Sequence, residues 1–282
     1  MRRIVPMLVS VIAPQPRGVP PPLSPPEELA YGPAPLQRLD FYPPLQAGGP
    51  VPLVIFVHGG GWSRGDKGRT TGWTKANHFL RRGFSFASIN YRLVPLATVE
   101  QQAQDVADAL ALLLRETTTR DVDPRRIVLM GHSAGAHLAA LLVTDPGYAR
   151  QAGIDPRRLA GTILLDGAAY DVARQSAGGL PFVSGLYGAA FGRDPERHAR
   201  LSPTAHAETA GGRFLILWVQ RPTAAEQSQG LAQALRRGGA QVETHAIAHR
   251  GLRGHLQLNR ALGEPAHPAT AIVDRWMDAT FG

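Results

Sequence analysis

The stretch RIVLMGHSAGAHLAALLV, residues 126–143, carries the signature of a strand, a sharp turn and a helix in direct succession. Arg126–Gly131 is a short apolar run with two β-branched members, which suits a buried strand and is too short for a helix. Ala134–Val143 is rich in alanine and leucine, which lose little freedom in a helix. Between them Gly131 and Gly135 flank Ser133, where the chain must reverse tightly.

The alternation continues on both sides. Upstream, Val51–His58 predicts a strand, Thr74–Arg82 a helix closed by Gly83, and Phe84–Tyr91 another strand. Thr98–Arg115 places Val99, Ala103, Val106, Ala107, Leu110 and Leu114 at helical spacing. Downstream come strands at Leu159–Leu165, Phe214–Val219 and Val242–Ile247, with helices at Ala225–Arg236 and Ala269–Thr280. Strands alternating with helices imply a mainly parallel sheet with helices on both faces. Residues 171–212 break the rhythm with Gly, Pro and short helical pieces, which predicts a small cap insertion. Residues 1–30 form a Pro-rich extended or disordered N-terminal segment, and 31–282 the α/β domain.

Seven prolines between positions 14 and 26 keep that N-terminal stretch out of helices and sheet centres. Before them, Arg2-Arg3 precede the apolar run Ile4–Ala13, which has some features of a secretory signal. Pro6 and Pro14 argue against that reading, so cytoplasmic and secreted or periplasmic locations both stay open. The 282 residues contain no cysteine, so disulfides, thiolate metal sites and a cysteine nucleophile are excluded. The formal charge is +8, and Lys67 and Lys75 are the only lysines. The arginines are spread along the chain rather than gathered on one face with aromatics, which argues against nucleic-acid binding. No apolar run is long enough for a membrane helix, so integral membrane association is not expected. Assembly into a homodimer is left open.

Gly131-His132-Ser133-Ala134-Gly135 fits G-x-S-x-G between strand and helix. There the turn strains the serine and exposes its hydroxyl, and the helix N-terminus favours a developing anion. Ser133 is the candidate nucleophile. His58-Gly59-Gly60-Gly61-Trp62 follows the strand at Val51–His58. Consecutive glycines let backbone N–H groups turn toward a ligand, so Gly60, Gly61 and Ala134 are candidate oxyanion donors. The loop lacks the Lys-Ser/Thr ending of a phosphate-binding P-loop. Trp62, His132 and Tyr187 are expected at the substrate pocket, and His58 as a loop brace.

The pair HGGGW and GHSAG resembles hormone-sensitive-lipase-like esterases and their kynurenine-formamidase-like and feruloyl-esterase-like relatives. Tyr91-Arg92-Leu93, Asp123-Pro124-Arg125-Arg126-Ile127, Ser202-Pro203 and Gln227-Ser228 support the register. The resemblance spans residues ~36–280 and implies an α/β-hydrolase fold with a triad in the order Ser, acid, His. His249 and His255 fall in the loop expected after the last strand. The run from Gly254 to Arg260 is similar to the family's pattern for the base, which favours His255.

The acid is where the chain departs from the family. The resemblance places an aspartate beyond the strand Phe214–Val219, where this sequence reads Gln220-Arg221-Pro222. Asp166, ending the preceding strand, is the favoured replacement. Gln220 as a neutral acceptor and Glu226 reaching across are the alternatives. Asp171 resembles a structural position at the start of the cap.

The expected activity is hydrolysis of small to medium carboxylic esters through an acyl-enzyme, with no metal or organic cofactor. An arylformamidase or other amidase would use the same groups. A degenerate hydrolase that binds without turnover is a third reading, supported only by the missing aspartate.

Overall fold

The computed structural model describes residues 21–46, 48–177 and 181–282, with the backbone alone for 181–184. The signal-like run at 4–13 and most of the Pro-rich stretch lie outside the described residues. Strands run at Glu27–Ala30 (β1), Arg38–Tyr42 (β2) and Val51–Val57 (β3). Helix α1 is Trp73–Arg81, β4 is Ser85–Ile89 and α2 is Val99–Arg115. Strand β5, Val122–His132, leads into α3, Ala134–Thr144, followed by α4, Pro146–Gln151, and β6, Gly161–Leu165. The cap contributes α5 (Val172–Ala177), α6 (Pro181–Phe191), α7 (Pro195–Arg200) and α8 (Pro203–His206). Strand β7, Arg213–Gln220, then precedes α9, Ala224–Arg237, and β8, Gln241–Arg250. Two helices close the chain, α10 at Gly251–Arg260 and α11 at Pro268–Phe281.

All eight strands form one sheet in the order β1-β2-β4-β3-β5-β6-β7-β8. From β4 to β8 every pairing is parallel. The pairs β1–β2 and β2–β4 are antiparallel. The sheet therefore begins at Glu27, inside the stretch 1–30 that the sequence set apart. Main-chain pairing to β2 overrides the poor strand propensity of Glu27-Glu28.

The central strands bury both faces, which gives two apolar clusters. One holds Leu53, Ile55, Val57, Ile89 and Leu129 beneath α2 and α3. The other holds Val54, Phe56, Phe86, Val128 and Met130 beneath α1 and α11. Such runs of inward residues on both sides mark strands covered on both faces. Helix α2 starts with a reciprocal capping box between Thr98 and Gln101.

One polar contact ties the second cluster to α10. The buried Lys75 Nζ donates to the Asn259 carbonyl and, at 2.9 Å, to Asn259 Oδ1. Asn259 Nδ2 donates to the Thr70 carbonyl at 2.7 Å. Burial pushes the Lys75 ammonium down from 10.5 to about 7. Between those two values the unfolded chain holds more protons than the folded one, so stability rises with pH across that window. In Lys75→Met the gain in Tm from pH 7 to about pH 10 is expected to be smaller than in the wild type. Equal gains in thermal melts of the two proteins would refute this.

Candidate active site

The loops at the carboxyl ends of the parallel strands gather the residues singled out by sequence. Ser133 sits between β5 and α3 with φ 55° and ψ −120°. A non-glycine residue in this region is strained and must be held by its surroundings. Its N–H donates to the Leu165 carbonyl at 3.0 Å, and its own carbonyl accepts from His137 at 3.1 Å. Glycine at 135 is obligatory by contact, because a Cβ there would lie 2.1 Å from the Val57 carbonyl oxygen. Ala134 opens α3, where a first-turn N–H has no partner within the helix.

The triple-glycine loop lies directly against the elbow. A Cβ at Gly59 would meet the Ser133 Cβ at 3.0 Å. Gly60 has φ 136° and Gly61 φ 59°, and among the described residues their N–H groups meet no backbone acceptor. His58 braces this loop, as expected. Its ring stacks on Tyr91 at 4.4 Å, its Nδ1 lies 2.8 Å from the Gly59 carbonyl, and Tyr91 donates to the His58 carbonyl at 2.9 Å. Full burial pushes the His58 imidazole down to about 4, so it stays neutral at physiological pH.

His255 lies in α10, not in a loop, because β8 runs on through His249 to Arg250 and the helix follows at once. Its Nδ1–H donates to Asp166 Oδ2 at 2.5 Å. Asp166 is fully buried at the end of β6 with φ 43°. Its N–H donates to the Leu217 carbonyl at 2.7 Å, and its Oδ1 accepts the Val219 N–H at 3.2 Å. Burial pushes the Asp166 carboxyl up. The His255 hydrogen bond, with the charge and hydrogen bond of Arg221, outweighs that and holds it below the usual carboxylate range.

The other candidate acids lie elsewhere. Gln220, the last residue of β7, is exposed and pairs in the ladder with Arg250. Glu226 forms an ion pair with Arg174. The Asp171 carboxylate caps the backbone at Arg174.

The three residues expected at the substrate pocket, His132, Trp62 and Tyr187, are all buried. His132 is 3% exposed and packs against His255. Its ring lies 4.4 Å from that of His255, and its Nε2–H donates to the His255 carbonyl at 3.0 Å. Burial first, then the neighbouring His255 and Lys75, hold its pKa well below the ordinary value. Trp62 is 1% exposed because its Nε1–H donates to His137 Nδ1 at 3.3 Å and its ring packs on Phe191 at 4.8 Å. Tyr187 stacks on the same Phe191 from within α6. Leu186 from α6 reaches the triple-glycine loop: a Cβ on Gly61 would lie 2.9 Å from both of its methyl carbons.

Sequence reasoning missed Arg221. It donates through Nε to Asp166 Oδ2 at 2.7 Å and through Nη2 to the carbonyls of Asp166 and Gly167 at 3.0 and 2.8 Å. No motif announces it, since an arginine beside a loop proline resembles any surface residue. The only hint is its place directly after the position where the acid was expected.

Residues 39–156 match the BD-FAE family model. A probable isoprenylcysteine alpha-carbonyl methylesterase of Oryza sativa subsp. japonica is 38% identical over 112 residues, covering 40% of this chain and 26% of that protein. LipM of Mycobacterium tuberculosis, a probable carboxylic ester hydrolase, is 27% identical over 77% of this chain and 52% of its own length. The chain thus spans about a quarter of the first relative and about half of the second. Among solved structures, esterase B from Lactobacillus Rhamnosis superposes with a TM-score of 0.72 at 22% identity, covering 90% of this chain and 84% of that one. Its eight-stranded, mostly parallel sheet and its agreement with that structure over nine-tenths of its length show that the chain has the α/β-hydrolase fold.

Proposed function

We propose that this protein is a serine hydrolase that cleaves carboxylic esters through an acyl-enzyme. The observation that carries the reading is the buried pair of His255 Nδ1 and Asp166 Oδ2 at 2.5 Å, on the strand end beside the one that leads into Ser133. A carboxylate at Nδ1 fixes the tautomer in which Nε2 is free to act as base, and it stabilises the imidazolium that forms. In this reading Nε2 takes the Ser133 hydroxyl proton as Oγ attacks the ester carbonyl carbon. The N–H groups of Gly60, Gly61 and Ala134 stabilise the oxyanion. The imidazolium returns the proton to the departing alkoxide, and the alcohol leaves. Water then attacks the acyl carbon, giving its proton to His255, and Ser133 recovers its proton as the carboxylic acid is released.

The reading of the chain as a binding protein rested on the absent aspartate, and a carboxylate on the imidazole removes that ground. The ester reading is tested with a fluorophosphonate probe and nitrophenyl acetate. Labelling at Ser133 together with ester turnover is expected. Faster turnover of an N-formyl aromatic amide than of the ester would move the assignment to an amidase, and an unlabelled Ser133 would end both.

Leu186 over Gly61 points to a small acyl group, because the acyl carbon must sit beside the oxyanion donors. Leu186→Ala is expected to raise kcat/KM for hexanoyl relative to acetyl esters by roughly 10-fold, a methylene-scale pocket effect. An unchanged chain-length profile would place the acyl group elsewhere.

A further inference from the structure

Asp166 Oδ2 receives two donors, His255 Nδ1 at 2.5 Å and Arg221 Nε at 2.7 Å. Arg221 Nη2 at the same time grips the carbonyls of Asp166 and Gly167. One guanidinium therefore fixes both the side chain and the backbone of a residue whose φ of 43° needs holding. The fork of an arginine suits this task, since its donors are held in one plane and keep their charge at any working pH. It also stands directly after Gln220, where the resemblance led one to expect the acid itself.

We propose that Arg221 is a positioning residue of the triad, which locks Asp166 in the orientation that presents Oδ2 to His255 and tempers the pull of that carboxylate on the imidazole. This rests on the reading of Ser133, His255 and Asp166 as a triad. The charge argument has a definite sign. To accept the serine proton, His255 must be neutral. The Asp166 carboxylate favours the imidazolium, and the Arg221 cation on the same oxygen opposes it. His132 from β5 lies against the imidazole and Lys75 from α1 acts on His132, while Tyr170 and Tyr187 face Asp166 and Arg221 from the cap side. On β8, His249 packs against Gly254, next to the base. None of these is itself altered when Arg221 is replaced, and comparison with the charge-keeping Arg221→Lys separates lost charge from lost orientation.

The test uses the full chain with nitrophenyl acetate and two neutral variants, Arg221→Met and Arg221→Gln. Glutamine keeps a donor and most of the bulk, so it carries the test if the methionine variant does not fold. The expected result is a fall in kcat of about 10- to 100-fold with KM within about twofold, as befits lost orientation of a reacting group. The acid limb of the kcat/KM profile is also expected to move to higher pH, because losing a nearby cation makes protonation of the base easier. Arg221→Lys, which keeps the charge, should leave the limb in place and recover part of kcat. An acid limb that stays at its wild-type position in the neutral variants would overturn the proposal, whether or not kcat falls, because a purely structural brace would act that way. Wild-type protein that fluorophosphonate fails to label would overturn both this proposal and the triad reading. A labelled, active wild type with unaltered Arg221 variants would overturn this proposal alone.

Discussion

Ser133→Ala is expected to lower kcat for nitrophenyl acetate by about 10⁴- to 10⁶-fold, with KM changed little, because the covalent route disappears while the oxyanion donors and binding surfaces remain. The loss should come without unfolding. Ser133 makes no side-chain capping bond to α3, and its backbone bonds to Leu165 and His137 do not involve the hydroxyl. Alanine occupies the same strained backbone at similar cost, so Tm should stay within a few degrees. Hydrolysis at even a tenth of the wild-type rate in a clean preparation would remove Ser133 from the chemistry.

The second large effect is expected at Asp166. Asp166→Asn should lower kcat by about 10³- to 10⁴-fold, because an amide can offer an N–H to the imidazole and favour the tautomer with the proton on Nε2, where the base must be free. Here the substitution does further harm. Arg221 would keep its charge and lose its carboxylate partner, and breaking a buried pair from one side leaves an uncompensated ion. A lower Tm should therefore accompany the lost activity. Gln220→Ala serves as the control. Its side chain is exposed, so kcat within about twofold of wild type is expected. If the glutamine variant lost activity and Asp166→Asn kept it, the acid would have to be moved to β7.

Element order was legible from 51 onward because the central strands are short apolar runs punctuated by helices with clear spacing. Val51–Val57, Ser85–Ile89 and Arg213–Gln220 lie within a few residues of where periodicity put them. The edge was not legible. Glu27–Ala30 is polar and largely exposed, and only its partner β2 makes it a strand. The elbow at Ser133 and the glycines at 59–61 could be located because tight turns impose composition on the chain. The helix carrying His255 was harder, since β8 continues to Arg250 through half-exposed residues with no apolar rhythm. Asp166 could be named only as one of several acids. Choosing among them depends on which strand ends are neighbours, a fact of topology that a linear sequence does not display. Arg221 is the extreme case: its role exists only through contacts across 54 and 55 positions.

Trp62, Ser133 and Asp166 all hold positive φ angles without being glycine, at 60°, 55° and 43°. Strain of this kind costs on the order of 1 kcal/mol or more per residue. A library screened for heat resistance alone would therefore favour glycine at 133, where no side-chain capping bond is lost, and that gain would erase the proposed chemistry. Directed evolution of this scaffold would have to select for turnover and thermal tolerance together, because its least comfortable backbone lies where it is proposed to work.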